Sequence, residues 1–450
     1  MKTIIIGAVA AGAKAAMKLK RLLPESEITI YTQDTHVSYS SCGLPYYIKG
    51  DFDDFNYLLV KSPEEFEKDG IKVFLKHRVD KIQPQYNKVL VSDLDGKTSF
   101  LDTYDNLIIA TGARPYIPHI ANMNLKNVFV LRRIEDGINV KDAVKRSKRA
   151  VIIGSGYIGM ELLEAIASND VHVDIIEKMP NIMPNMDEDV SNLIKEELES
   201  IAQGRFEFHT GENVIEFRGD CDSVKQVVTE NGKIIDTDMI VIAAGVVPNV
   251  EIAKDAGIKI GVTGAIQVDK FMRTNIKNIY ACGDCAEKTM MITETPVYIP
   301  LGSYASKEGR CAAINASGQV DGFYGILGST VTRCFDLTIS MTGLTTKKAL
   351  EIGKNPVSTV ITKSDRVGYM PEVDNITLKL IADKSSGQLL GAQAVGSKYA
   401  DKKINSLTSA LTAKMTVSEF LNNDNTYSPP YSTTVDLLYN AALKLKDQIE

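Results

Sequence analysis

A run of β-branched residues that ends in glycine and passes straight into a helix of small residues occurs twice in this chain. The first copy is TIIIGAVAAGAKAAMKLKRLLPESEITIYT, from Thr3 to Thr32. The second is AVIIGSGYIGMELLEAIASNDVHVDIIE, from Ala150 to Glu177. Each reads as strand, tight turn, helix, second strand, a unit whose strands lie parallel with the helix packed across them. Gly7 and Gly154 stand 147 positions apart, so the units belong to two separate nucleotide-binding sheets. A length of 450 residues leaves room for a third domain at ~150 residues each.

The second turn carries a complete fingerprint, Gly154-Ser155-Gly156-Tyr157-Ile158-Gly159. Its glycines allow a tight turn and close approach of a pyrophosphate, and the helix N-terminus favours the phosphate charge. Glu177 ends the second strand of this unit, where a carboxylate accepts a ribose 2′-hydroxyl and repels a 2′-phosphate. That predicts NADH over NADPH, a preference the adjacent Lys178 weakens. The first turn, Gly7-Ala8-Val9-Ala10-Ala11-Gly12, has valine in the middle. Its second strand ends in Thr32 and Gln33, without the acid expected at Thr32. Two later motifs support a second dinucleotide there. YDNLIIATG ends a strand at Thr111-Gly112, and TNIKNIYACGD ends one at Gly283-Asp284, an aspartate placed to hold a ribityl hydroxyl of a flavin.

After Gly322 the pattern changes. VSTVITK, NITLKLIAD and QLLGAQAVG alternate as antiparallel strands, helical stretches come next near 400–414 and 416–421, and TYSPPYSTTVD precedes a last helix. This predicts an α+β third domain. The charge sum of −6 removes the basic excess that nucleic-acid binding uses. Six cysteines are too few for a secreted disulfide scaffold, and no apolar run reaches the ~20 residues of a membrane span. MKTIIIGAVAAGA has the outline of a signal peptide, yet the strand-and-turn reading accounts for more of the residues downstream of it; a reducing, cytoplasmic setting is expected.

The motif order GxVAAG, SYSSCGLPYY, YDNLIIATG, GSGYIGME, NIYACGDCAE, YSPPYS resembles the FAD-dependent pyridine nucleotide-disulfide oxidoreductase family along the whole chain. Within it the chain is most similar to the single-cysteine branch of coenzyme A disulfide reductases, NADH oxidases and NADH peroxidases. The resemblance implies an α/β fold of two Rossmann-like dinucleotide-binding domains, FAD (1–113 and 244–322) interrupted by NAD(P)H (114–243), and a C-terminal α+β dimerisation domain (323–450). It also implies a homodimer whose active site is shared between subunits. Gly245 with Val246-Val247-Pro248-Asn249 looks like the return crossing into the FAD domain. Tyr157 then covers the flavin until NADH displaces it, and Glu161 orients nearby groups.

Cys42 is the expected redox centre. It begins a helix in Cys42-Gly43-Leu44-Pro45, where the positive helix end stabilises a thiolate. Two-cysteine relatives carry their second cysteine five positions on, where this chain has Tyr47, so the oxidised partner of Cys42 is exogenous: a thiol, a persulfide or oxygen. Family peroxidases and water-forming oxidases have a histidine where Ala10 stands. G-x-V-A-x-G and Ser38, four residues before Cys42, instead match the coenzyme A disulfide reductases. The resemblance places Tyr427 and Tyr431 of YSPPYS, and Tyr369, near the partner's cysteine, where Tyr427 and Tyr369 protonate a departing thiolate; a rigid aromatic turn is the plainer reading. In the dithiol reductases that the chain resembles, a histidine-glutamate pair stands near this C-terminal region; here none of the five histidines (36, 77, 119, 172, 209) lies past 209, which supports tyrosine chemistry.

Lys14, Lys18 and Arg21 share one helix face and are expected either to meet coenzyme A phosphates or to stand in solvent. The Cys282-Gly283-Asp284-Cys285 spacing is read as coincidence beside the flavin motif. Metal-ligand spacing and a Ser/His/Asp constellation are not found, and no rhodanese-like module is expected after residue 450. The expected activity passes electrons from NADH through FAD and Cys42 to a small disulfide or persulfide, most simply coenzyme A disulfide, coenzyme A persulfide or polysulfide. The alternatives are an NADH oxidase reducing oxygen, an electron-transfer reductase for a small redox protein, whose relatives lack the cysteine, and a redox sensor with little turnover.

Overall fold

A computed structural model describes all 450 residues. The first glycine-turn unit supplies the middle of a five-stranded parallel sheet. Its order is Ile279–Ala281, Asn106–Ile109, Lys2–Ile6, Glu27–Tyr31, Ile71–Phe74. Ile4 and Ile6 join Leu107, Ile109 and Ile279 on one face, while Ile5, Ile28, Ile30 and Ile108 pack on the other. Strands buried on both faces need such unbroken apolar runs, which is why the pattern does not alternate. The helix Ala10–Leu22 lies on this sheet and against the helix Gly302–Ala316. Its small residues are a packing requirement: a side chain at Gly309 would meet Ala11 O at 2.3 Å.

The second unit repeats the plan, with parallel order Phe206–Thr210, His172–Glu177, Arg149–Ile153, Met239–Ile242, Val128–Val130. Each parallel sheet is accompanied by a three-stranded antiparallel meander. One spans His77–Gln83, Lys88–Asp93 and Thr98–Thr103; the other spans Val214–Asp220, Ser223–Thr229 and Ile234–Asp236. The sequence pattern does not separate these meanders. The chain crosses between the two sheets on paired segments, Ala113–Pro115 antiparallel to Val246–Pro248. Thr111 and Asn249 fasten the crossing: Thr111 Oγ1 donates to Asn249 O at 2.7 Å and Asn249 Nδ2 donates to Thr111 O at 2.9 Å.

The C-terminal region forms an antiparallel sheet ordered Thr330–Cys334, Leu337–Gly343, Leu389–Gly396, Asn375–Asp383, Pro356–Ser364. Helices Ala400–Thr412 and Leu437–Ile449 pack against it. The fold is therefore the expected α/β pair of Rossmann-like sheets with an α+β C-terminal domain. One apolar cluster joins Leu44, Ile48 and Leu58 from the Cys42 segment, Leu162, Leu163 and Ile166 from the second glycine-turn helix, and Ile339 and Val395 from the C-terminal sheet. The segment carrying Cys42 is thus held by three parts of the molecule. No helix is long and apolar enough to cross a membrane.

Candidate active site

The two glycine turns share one backbone. Gly7 and Gly154 adopt φ of +104° and +102°, and a Cβ there would meet Ala110 O at 2.1 Å and Ala243 O at 2.6 Å. The outer glycines Gly12 and Gly159 lie so close to Gly7 O and Gly154 O that a Cβ would sit 2.0 Å away in both. The middle position differs: nothing lies within 4 Å of a Cβ on Gly156. Val9 takes the corresponding helix-capping place with an ordinary φ of −96°. The backbone needs the outer glycines; the middle one is left to the ligand.

Gly7, Thr32, Gln33 and Thr111 line a cleft of about 220 Å³ together with Asp34, Arg78 and Asn249. Thr32 is buried and its Oγ1 accepts from Asp34 N at 3.3 Å. Asp34, two residues past the expected position, brings the acid that Thr32 lacks. Burial pushes its carboxyl up, and Arg133, with Nε 2.9 Å from Oδ1, pulls it back. The usual strand-end position points at Thr32, so a reading by position alone passes over Asp34. Ala8, Ala10 and Ala11 come after Gly7 around the turn, with Ala8 and Ala11 buried.

Asp284 is expected from its motif; its partner Arg132 is not. Arg132 Nη2 donates to Asp284 Oδ2 at 2.8 Å, whereas Asp284 Oδ1 is buried with no hydrogen-bond partner. A buried carboxylate oxygen left without a donor is unfavourable by ~1–3 kcal/mol or more. A ribityl hydroxyl is a fitting donor, so the residues present suit FAD. Gly112 and Gly283 both have positive φ, and Gly283 packs so closely on Ala11 that its Cβ would fall 2.9 Å from that of Ala11.

At the second turn, where NAD(P)H is expected, Glu177 Oε2 accepts from Ser155 N at 2.9 Å and Ser155 Oγ at 2.8 Å, and Oε1 accepts from Met179 N at 2.8 Å. Its carboxylate is therefore tied first to its own turn, which the ribose expectation does not include. Lys178 is exposed and free of any ion pair. Tyr157 is held at the head of the helix Tyr157–Ala167 by Thr330 Oγ1, 2.6 Å from its hydroxyl, and by Asn185 Nδ2. Ile158 comes next in that helix, and Gly245 caps the opposite strand with φ of +108°.

Cys42 departs from expectation. It sits in a single 3-10 turn, Ser41–Gly43, and the helix Leu44–Lys49 starts only after Gly43. Six helical residues and an intervening cap supply little dipole. The thiol opens to solvent on one side and is crowded on the other. That crowding pushes its pKa up, Glu161 and Asp284 add to the rise, and Arg132 opposes it. Glu161 is itself pushed up to about 7, mainly by burial, with Thr332 Oγ1 donating to it at 3.0 Å. Ser38 adopts φ of +49°, a strained conformation for serine, while its N–H bonds Ala8 O at 2.8 Å. Tyr47 is buried under Lys141, whose Nζ stands 4.1 Å from the ring centre.

The tyrosines are elsewhere. Tyr369, Tyr427 and Tyr431 are 76%, 48% and 82% exposed, and no hydrogen bond joins them to Cys42 within one chain. Lys14 and Arg21 are exposed and Lys18 is half-buried, none in an ion pair. Cys282 and Cys285 are free, fully buried thiols; Cys285 Sγ donates to Cys282 O at 3.3 Å. Asp174, Glu207 and His209 gather their ligand atoms within 4.8 Å, a cluster the sequence spacing does not reveal. Lys233 Nζ lies 2.5 Å from His209 Nδ1 and Arg149 3.5 Å from Asp174, so cations already serve it.

Residues 1–309 match the pyridine nucleotide-disulphide oxidoreductase family, and residues 330–438 match its dimerisation domain. The chain is 34% identical over 447 residues to a CoA-dependent NAD(P)H sulfur oxidoreductase of Pyrococcus abyssi, covering 98% of each. It is 32% identical to an NADH oxidase of Methanocaldococcus jannaschii over 452 residues, again 98% of each. Coenzyme A disulfide reductase of Staphylococcus aureus is 30% identical over 449 residues, 99% of this chain and 100% of that one. An NAD-dependent persulfide reductase from A. fulgidus superposes with a TM-score of 0.96 at 33% identity, covering 100% of this chain and 83% of that one. The chain belongs to the pyridine nucleotide-disulphide oxidoreductase family, and is an enzyme that uses FAD and NAD(P)H and carries a dimerisation domain.

Proposed function

We propose that this enzyme reduces coenzyme A disulfide or coenzyme A persulfide with NADH, through FAD and the single thiol of Cys42, as a cytoplasmic homodimer. The observation that carries this reading is the pairing of an accessible Cys42 with a buried Tyr47 at the position of the missing second cysteine. Cys42 has no internal disulfide partner; all six thiols are free. The oxidised partner of Cys42 therefore comes from outside, and a small disulfide or persulfide is the partner proposed.

FAD, when bound, supplies the two-electron relay between nicotinamide and sulfur. Gly7 to Gly12, Thr32, Gln33, Asp34, Thr111, Gly112, Gly283 and Asp284 hold it, and Arg132 aligns Asp284. Gly154 to Gly159, Glu177 and Gly245 hold NADH; Lys178 is a point where a 2′-phosphate would find a cation. Tyr157 shields the nicotinamide side, and Glu161 sets the charge beside Cys42. The Cys42 thiolate attacks RS–SR, forming Cys42–S–SR and releasing RS⁻. Two electrons from NADH then cleave the mixed disulfide to the Cys42 thiolate and a second RS⁻. Overall RSSR, NADH and a proton give two RSH and NAD⁺. Tyr369, Tyr427 and Tyr431, exposed in the single chain, reach Cys42 of the partner subunit and protonate departing thiolate. Lys14, Lys18 and Arg21 take coenzyme A phosphates. The FAD and NAD(P)H domains meet at the crossing pair near 113 and 244.

The test is NADH turnover with coenzyme A disulfide against turnover in air-saturated buffer, for wild type and Cys42→Ser. Loss of the disulfide activity alone supports the proposal; full activity in Cys42→Ser sinks it. Mass analysis without reductant separates a coenzyme A adduct on Cys42 from a sulfenic acid, which would favour an oxidase like the Methanocaldococcus relative.

A further inference from the structure

Beneath the flavin aspartate lies a second pair of charges that the redox mechanism does not use. Lys288 and Glu308 are each 1% exposed, with Lys288 Nζ 3.4 Å from Glu308 Oε1. Glu308 comes from the helix Gly302–Ala316, and Lys288 from the short strand Lys288–Thr289 just past the flavin loop. They grip the same residue from both ends. Glu308 Oε2 accepts from Gly283 N at 2.7 Å, and Lys288 Nζ donates to Gly283 O and to Ala286 O, both at 3.0 Å. Gly283 has φ of +81° and directly precedes Asp284. Two buried charges spent on one peptide group are costly unless that group must be held in a fixed orientation.

We propose that Lys288 and Glu308 are positioning residues for FAD: their buried pair fixes the Gly283 peptide and so aims the free Asp284 Oδ1 at the ribityl chain. Neither lines the cleft at Gly7, Thr32 and Thr111; both bond Gly283 and act through it. The pair is adjustable. Burial pushes the Glu308 carboxyl up to about 7, against the pull of Lys288 and of the Gly283 N–H, while Asp284 raises it further. Other titratable groups facing the pair are Cys282 and Cys285 on either side of Gly283-Asp284, and Tyr304 on the Glu308 helix. Since a raised carboxyl is neutral below that value, the charged grip is nearly complete by pH ~8, half lost at pH ~7 and mostly lost by pH ~6.

The experiment tracks FAD leaving the diluted holoenzyme by the rise in flavin fluorescence, between pH 6 and pH 8. Wild type should release FAD about fivefold faster at pH 6 than at pH 8. Glu308→Gln should release it about tenfold faster than wild type at pH 8 and lose the pH dependence. Lys288→Met, which leaves Glu308 neutral, should do the same and serves if the first variant fails to fold. Wild-type release rates in either variant overturn the proposal. So does faster release with the wild-type pH dependence kept, which marks a merely structural pair. The inference concerns flavin retention only, so it stands or falls independently of the acceptor that Cys42 serves.

Discussion

The turn at Gly7–Gly12 and the turn at Gly154–Gly159 have the same backbone and different interiors. Both outer glycines of each turn are imposed by carbonyl contacts within the chain. The middle residue is valine in one and glycine in the other, and the acid beyond the turn is displaced in one and in register in the other. Asp34 sits three residues past the strand end and is paired with Arg133; Glu177 sits at the strand end and is bonded to Ser155 of its own turn. The lesson is that a fingerprint mixes two constraints. Part of it builds the turn and is needed with or without a ligand. The rest fits one ligand and changes with it.

That division has consequences of graded size. Gly12→Ala pushes a methyl to 2.0 Å from Gly7 O and 2.9 Å from Gly7 C, both backbone atoms that cannot swing aside. It should destabilise the protein by about 3 kcal/mol or more and give preparations without yellow colour, read by melting temperature and absorbance. A Cβ on Gly156 meets no atom within 4 Å, so in Gly156→Ala the melting temperature should hold while KM for NADH rises severalfold or more and FAD stays bound. The mirror change, Val9→Gly, should keep FAD and fall in stability by only about 0.5–1 kcal/mol. If Gly156→Ala unfolds the protein, or Val9→Gly empties the flavin site, the division between turn-building and ligand-fitting positions is wrong.

Legibility in the sequence divides along the same line. Regular elements and the turn glycines are legible because they answer to local rules: unbroken β-branched runs for buried parallel strands, small residues where two helices meet. Cys42 is legible through its neighbours, yet its helix begins later than the motif suggests, since Pro45 marks a helix start without saying which residue caps it. Arg132, Glu308 and Lys288 are not legible. Each gains its meaning from a partner that no spacing rule connects to it, Asp284 for Arg132 and Gly283 for the buried pair. Asp34 stands in plain view and loses to a fixed-position rule. The tyrosines 369, 427 and 431 have no partner in one chain, so their assignment to Cys42 rests on a second subunit.

The Glu177 side of the comparison can be sharpened further. Glu177→Gln keeps an acceptor for Ser155 but removes the charge that repels a 2′-phosphate, and Lys178 is already free beside it. The ratio of kcat/KM for NADH over NADPH should fall about tenfold, with FAD content unchanged. An unchanged ratio would mean that Glu177 only secures its own turn.

The smallest expected effect concerns which nucleotide half controls the thiol between them. Glu161 belongs to the helix after the second glycine turn and Asp284 to the loop at Gly283, and both push Cys42 up. Glu161 changes charge near neutrality, since its own carboxyl is pushed to about 7. Below that pH it is neutral and its push on Cys42 is absent; above it the carboxylate is charged and the thiolate is disfavoured. Glu161→Gln should therefore leave alkylation of Cys42 by iodoacetamide nearly unchanged at pH 6 and speed it about threefold at pH 8. Removing the charge at Asp284 would confound the result by releasing FAD, which is why the Glu161 side is the cleaner one. Equal rates at both pH values would assign control of the thiol to burial and the flavin loop, and would break the claim that the second turn reaches beyond its own nucleotide.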